Sequence, residues 1–289
     1  MIGPIWQTSR FAIDLARPRV MGIVNVTPDS FSEGGAGPST AQAIARCEQM
    51  LAEGADILDI GGESSRPGAL PVSVEDELAR VRPVLAAAVG LGCPVSIDTT
   101  KVDVMRVALG LGVDIVNDVA ALQAPGALEL VAANGKCGIC LMHMRGTPRS
   151  MQAEPAYGDV VGEVAAFLGQ RIAAAEAAGI ERERIVVDPG IGFGKAPAHN
   201  IELLRRQDAL LALGVPLLVG WSRKSTLARL AGLDATAPTG RSPAGQERLL
   251  AASVAAALLA VQRGARIVRV HDVAATVAGL AVWLAGGAR

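Results

Sequence analysis

Eight short apolar runs punctuate the chain, and a helix-like stretch follows each of them. They are VMGIVNV (20–26), DILDIGG (56–62), PVSIDT (94–99), DIVNDV (114–119), GICLMH (138–143), IVVDPG (185–190), PLLVGW (216–221) and IVRVHD (267–272). Runs that are short, β-branched and nearly continuously apolar belong to strands buried on both faces, which is how parallel sheets covered by helices read. Eight such units within 289 residues predict closure into a single (β/α)8 barrel; a doubly wound open sheet is the competing topology. The whole of 1–289 is expected to form one domain.

Between the runs, helices are predicted over 39–53, 74–90, 158–179 and 246–263, with Gly54, Gly90 and Gly179 as stops. Residues 1–18, containing FAIDLA at 11–16, precede the first barrel strand and are expected to form a small hairpin closing the barrel bottom. The Gly/Pro/Thr-rich stretch 232–245 reads as a surface loop.

Charge excludes some partners. Lys and Arg number 27 against 28 Asp and Glu, with no run of one sign, so neither nucleic acid nor an anionic membrane is expected as a partner. The apolar stretches 249–261 and 273–285 fall short of the roughly 20 residues that cross a bilayer, and read as buried helices. The first residues lack the pattern of a signal peptide, so a cytoplasmic location is expected. Four cysteines imply no disulfide framework, and Cys137 and Cys140 lie three apart on a strand, where side chains face opposite ways.

In such a barrel the active site forms at the carboxyl ends of the strands. Nearly every run ends there in a polar residue: Asn25, Asp98, Asn117 with Asp118, His143, Asp188, and Arg269 with His271 and Asp272. A structural network could satisfy two or three such groups; it would hardly explain all of them. The last two units add cations, Arg223 and Lys224 beside Ser222, and Arg269, at the position where barrels often hold phosphate. One of the adjacent pair Arg223 and Lys224 is expected to bridge to a carboxylate, and Lys224 to face a ligand. GIGFGK (190–195) is not a Walker A sequence; it is expected to let backbone approach a ligand and to present Phe193. His143 reads as a core residue and His199, after Pro197, as a capping or surface group.

The motifs NVTPDSF (25–31), GGESSRPG (61–68), SIDTTK (96–101), NDV (117–119), LMHMRGTP (141–148), VDPGIGFGK (187–195), GWSRKS (220–225) and RVHD (269–272) appear in one order. In this the chain closely resembles the dihydropteroate synthases, a family of pterin-binding barrels, from about Arg19 to Val282. The resemblance implies condensation of 6-hydroxymethyl-7,8-dihydropterin pyrophosphate with p-aminobenzoate, giving 7,8-dihydropteroate and pyrophosphate. It implies pterin contacts from Asp98, Asn117, Asp188, Lys224, Met142 and Gly220, with Arg269 covering the ring and reaching phosphate. It places Asn25, Arg269 and His271 at the pyrophosphate, with Asn25 touching Mg2+ as cofactor. The aminobenzoate pocket would comprise Phe31, Ser65, Arg66, Pro67, Phe193, Ser222 and Lys224, where sulfonamides would compete. Catalysis would rest on Asn25, Lys224, Arg269 and His271 as electrostatic groups, without an obvious general base. A homodimer is implied, for which the apolar final helices are suited. Ser65, where the family usually has Thr, and Trp221, whose bulk could narrow the aminobenzoate side, are the notable departures. Two other readings are a pterin-dependent methyltransferase, which would not need the phosphate groups, and a catalytically silent paralogue, in which those groups should have eroded.

Overall fold

The computed structural model of the protein describes residues 4–27, 39–64, 68–146, 151, 155–233 and 242–287. The predicted Phe31, Ser65, Arg66 and Pro67, and residues 234–241 of the predicted loop, lie outside these. A two-stranded antiparallel hairpin comes first, β1 (Ile5–Gln7) and β2 (Ala12–Asp14). Parallel strands then alternate with helices: β3 (Arg19–Asn25), α1 (Thr40–Ala52), β4 (Ile57–Gly61), α2 (Val74–Ala88), β5 (Val95–Asp98), α3 (Val102–Gly110), β6 (Ile115–Asp118) and α4 (Ala127–Asn134). The second half runs β7 (Gly138–Met142), α5 (Val160–Ala177), β8 (Ile185–Asp188), α6 (Pro197–Arg205), α7 (Asp208–Leu211), β9 (Leu218–Val219), α8 (Ser225–Leu230), α9 (Pro243–Gln262), β10 (Ile267–Val270) and α10 (Val273–Ala285).

The sheet order is β8-β7-β6-β5-β4-β3-β10-β9, and a parallel bridge between Val187 and Leu217 joins its two edges. The sheet is therefore closed, as a (β/α)8 barrel and not as an open doubly wound sheet. Local chemistry starts the helices: Ser39 and Gln42 form a capping box on α1, Ser73 and Asp159 cap α2 and α5, and Ser242 followed by Pro243 opens α9. Gly90 is not the stop of the second helix. The chain tightens into a 3₁₀ turn over Val89–Leu91, and Gly92, at φ 76°, makes the left-handed exit that a side chain would resist.

Two apolar layers result. Outward strand residues such as Val24, Leu58, Ile97 and Val187 pack beneath the helices. Inward residues Met21, Ile57, Ile115, Cys140, Val186, Leu218 and Ile267 form a plug with Trp6, Ile13 and Leu15 of the hairpin segment. The hairpin lies so close that a Cβ on Gly138 would meet the Trp6 indole nitrogen at 2.9 Å. Cys137 belongs to the outer layer and Cys140 to the inner plug, as their spacing predicts.

Helix α9 matches the predicted 246–263 to within three residues, extends beyond the apolar run 249–261, and by length and composition alone could cross a membrane. It packs on α8, α10 and β10 as one of the barrel helices. Nor are the last two helices wholly buried: Leu259, Val282 and Leu284 are exposed.

Candidate functional site

Side chains two residues apart on a strand share a face, and the second lies roughly 6–7 Å further along it. Taking that step from the apolar plug changes its chemistry. Ile57 gives way to Asp59, Ile115 to Asn117, Cys140 to Met142, Val186 to Asp188, Leu218 to Gly220 and Ile267 to Arg269. Strand β5 contributes Asp98, which sits beside Gly61 of β4 and Asn117 of β6 in register. The same alternation that builds the plug thus assembles a polar layer above it.

A cleft at this level is lined by Asp98, Asn117, Val119, Met142, Asp188, Ile191, Phe193, Gly220, Lys224 and Arg269. Eight of these ten were expected from the sequence to touch a substrate. Asn25, the last residue of β3, and His271, just beyond β10, stand at the same carboxyl ends of their strands, although neither lines this cleft. His271 is paired with Ser222: the Ser222 Oγ lies 3.1 Å from His271 Nδ1 and accepts from the His271 backbone N–H.

Arg269 organises the polar layer. Its Nε donates to Asp59 Oδ2 at 2.6 Å and its Nη2 to Asp98 Oδ2 at 2.6 Å. Asn117 Nδ2 donates to the same Asp59 oxygen at 3.1 Å. Burial disfavours a charged guanidinium, but Asp59 and Asp98 outweigh it and raise the Arg269 pKa further. Burial pushes Asp98 up to about 7, against the pull of Arg269. It raises Asp188 as well, although Gly190 N–H donates to Asp188 Oδ1 at 2.7 Å. Asp59 has no counterpart among the expected site residues. Its signal was the strand period: an acid at an inward position between Ile57 and Gly61.

Two cations follow β9, and the structure separates them. Arg223, at φ 58°, pairs with Asp272, whereas the Lys224 Nζ stands 4.1 Å from the centre of the Phe193 ring. Trp221 is buried in the outer core and does not line this cleft.

The GIGFGK segment is clamped from both sides. Lys195 turns inward, 2% exposed, with its Nζ 2.8 Å from His143 Nδ1 and donating to the carbonyls of His143, Gly190 and Phe193. Burial lowers Lys195 to about 7, and burial followed by the nearby Lys195 charge lowers His143 to about 3. On the outer side Tyr157 donates to Gly194 O, and Asn200 accepts from Gly192 N–H. A Cβ on Gly190 would stand 1.9 Å from His143 O, so only glycine allows this approach of backbone to backbone. His199 accepts from Ala196 N–H as a helix cap.

Beside the mouth, Lys101 bridges Glu63 and the buried Glu77, the latter at 2.5 Å, and so ties the segment after β4 to α2 and α3. Burial works against the Lys101 charge, and the two carboxylates outweigh it.

A family profile described as "Pterin binding enzyme" matches residues 21–271. The chain is 55% identical over 288 residues to the dihydropteroate synthase of Neisseria meningitidis serogroup B, covering 98% of each. It is 45% identical over 272 residues to that of Escherichia coli K12, covering 94% of this chain and 92% of the relative. The chain belongs to the dihydropteroate synthase family. Among solved structures, the Xanthomonas albilineans dihydropteroate synthase with 4-aminobenzoic acid superposes with a TM-score of 0.88 at 50% identity, covering 98% of both chains. The same enzyme with 7,8-dihydropteroate gives 0.85 at 48%, again covering 98% of both. The Yersinia pestis dihydropteroate synthase in a sulfonamide complex gives 0.89 at 42%, with the same coverage.

Proposed function

We propose that this chain condenses 6-hydroxymethyl-7,8-dihydropterin pyrophosphate with p-aminobenzoate, forming 7,8-dihydropteroate and pyrophosphate. The observation that carries the reading is the cleft in which Asp98, Asn117, Asp188, Lys224 and Arg269 converge. A pterin presents its 2-amino group and N3–H side by side, and the Asp188 carboxylate can accept both. Asp98 and Asn117 serve the ring nitrogens, and Lys224 donates to the O4 and N5 edge while standing against Phe193. Met142 and Gly220 border the ring. Arg269 covers it and reaches phosphate with a guanidinium that stays charged.

Ser222, Lys224 and Phe193 are assigned to the aminobenzoate side, where sulfonamides are expected to compete; Phe31, Ser65, Arg66 and Pro67, which the resemblance adds, lie outside the described residues. Loss of the diphosphate leaves a ring-stabilised cation, which the neutral amine traps. Such a path needs charge complementarity more than a base. Arg269 and His271 supply it from one strand end, and Ser222 orients the imidazole.

The donor set also suits magnesium. Asn25 offers one hard oxygen, and no group of three or more His, Cys, Asp or Glu able to hold a metal occurs among the described residues. A cation held by one protein oxygen, water and diphosphate oxygens follows the habit of Mg2+. When bound, it would neutralise charge on the departing diphosphate.

A cytoplasmic homodimer completes the reading, with exposed Leu259, Val282 and Leu284 of the last two helices as its apolar face. Incubation with the pterin pyrophosphate, p-aminobenzoate and Mg2+ should yield a product of the mass of dihydropteroate; no such product would leave the silent-paralogue reading. The methyltransferase reading has no use for the Arg269 and His271 pair.

A further inference from the structure

Asp59 lies in the middle of β4, is 0% exposed and does not line the cleft. Yet one of its oxygens, Oδ2, accepts from both Arg269 Nε and Asn117 Nδ2. Its other oxygen, Oδ1, has no hydrogen-bond partner among the described residues. A carboxyl group this deep needs a cation and hydrogen-bond donors beside it, and Arg269 and Asn117 supply them. Asp98 holds the same guanidinium at Nη2, but from the cleft wall, where a ligand can reach it. Arg269 is therefore gripped by two unlike carboxylates, one sealed away and one open to the substrate.

We infer that Asp59 is a positioning residue, the permanent anchor of Arg269 and Asn117, while Asp98 is an exchangeable anchor that releases Arg269 when a pterin binds. The inference rests on the proposed function, in which Asp98 serves the pterin and Arg269 the phosphates. When pterin donors occupy Asp98, the Nη2 of Arg269 is freed for a phosphate oxygen. The bond from Nε to Asp59 keeps the guanidinium plane in place during that exchange. Asn117, tied to Asp59 through one N–H, keeps its carbonyl and its other N–H for the ring. One buried carboxylate thus aligns the group for each half of the substrate, and occupation of the pterin half prepares the phosphate half.

Calorimetry with inorganic pyrophosphate and Mg2+ tests this, because electrostatics alone makes a distinct prediction. Asp59→Asn and Asp98→Asn each replace a carboxyl group by a neutral amide, so a pure charge effect would weaken pyrophosphate binding in neither. Positioning gives opposite signs: Asp98→Asn tightens it several-fold, and Asp59→Asn weakens it about tenfold, the scale of one charged hydrogen bond. In an Arg269→Met background, Asp59→Asn should have no further effect on pyrophosphate. Asp59→Asn should also weaken 6-hydroxymethylpterin through Asn117. Tightening by both variants, or an undiminished Asp59→Asn penalty without Arg269, overturns the inference. Equal pyrophosphate affinity in wild type and Arg269→Met overturns the underlying phosphate assignment instead. A second measurement needs no change at Asp59. Saturating 6-hydroxymethylpterin should tighten pyrophosphate binding to the wild type but not to Asp98→Asn, and its persistence in that variant refutes the exchange.

Discussion

The two ends of the barrel interior are built by the same strands, two residues apart, with opposite chemistry. At the amino end Met21, Ile57, Ile115 and Ile267 meet Trp6 and Leu15, and the one indole N–H there is spent on Arg184 O at 2.9 Å. Two basic groups near this end are satisfied within the protein: Arg184 donates to the carbonyls of Cys137 and Val131, and Arg10 pairs with Asp114. At the carboxyl end, Asp59, Asp98 and Asp188 share a few ångströms of strand with Arg269, and Asp59 Oδ1 is left without a partner among the described residues. The lower layer is built for burial. The upper one gathers carboxylates around one guanidinium, with Asp98 and Asp188 on the cleft wall and Asp59 sealed behind it.

If that division holds, a change at the bottom should cost stability and spare the ligand. Trp6→Ala removes the largest side chain of the plug, and the expected destabilisation is about 3–5 kcal/mol. Urea unfolding would measure it, and calorimetry with 6-hydroxymethylpterin should show near-native affinity in the folded fraction. A large loss of pterin affinity with native stability would break the comparison.

At the mouth the pattern should reverse. Asp188→Asn sets an amide N–H₂ against a pterin donor, and the expected loss of pterin binding is about 2–4 kcal/mol. Because burial raises the Asp188 pKa, its charge opposes folding at neutral pH, so the melting temperature of the variant should stay level or rise. A falling melting temperature would mean that the carboxylate is structural.

Much of this division was readable beforehand. The eight runs became β3 to β10 within a residue or two, except β9, where only Leu218–Val219 of the expected 216–221 is strand. Of the polar residues at strand ends, Asp98, Asn117, Asp188 and Arg269 line one cleft, because strand order and a period of two suffice to aim them, whereas Asn25 and His271 stand at the same ends without lining it. Asp59 escaped because attention to strand ends overlooks a polar group at mid-strand; applying the period to DILDIGG puts it inward. Lys195 escaped for another reason. The sequence singled out the glycines and Phe193 of this segment, whereas the Lys195 contacts depend on how closely Gly190 approaches His143, a long-range feature no local spacing encodes. The Trp6 bond to Arg184 spans 178 residues and is equally invisible locally.

The pH dependence of stability sharpens the contrast further. Asp98 is raised from its ordinary 3.8 to about 7, so between these values the folded protein binds more protons than the unfolded chain. The contribution of Asp98 to stability should therefore fall as pH rises from about 4 to 7, against the opposite contribution of His143, which is lowered to about 3. Lys195 is lowered from 10.5 to about 7, so the folded protein binds fewer protons above neutrality, and stability should recover as pH rises from about 7 towards 10.5. Asp98→Asn should flatten the first limb and Lys195→Met the second, in chemical unfolding at a series of pH values. An unchanged acid limb in Asp98→Asn would assign that limb to another carboxylate.

The smallest expected effect lies at the outer brace of the mouth. Tyr157 donates to Gly194 O at 2.9 Å, its ring stacks edge-on with His199 at 5.0 Å, and the Arg145 guanidinium lies 3.9 Å from its centre. Tyr157→Phe keeps both ring contacts and removes only the hydroxyl, leaving Gly194 O without that bond. The cost is expected to be about 0.5–1.5 kcal/mol, because the hydroxyl is half-buried and water can reach part of the gap. Lys195 still holds the inner side of the same segment, so Phe193 should keep its place beside Lys224. The KM for the pterin pyrophosphate should then rise by no more than a few-fold, with kcat unchanged. Lys195→Met, which removes the inner clamp and its three carbonyl contacts, should move that KM much further. If the two variants had equal effects, the GIGFGK segment would be held from outside as firmly as from within, and the inner clamp would lose its special place.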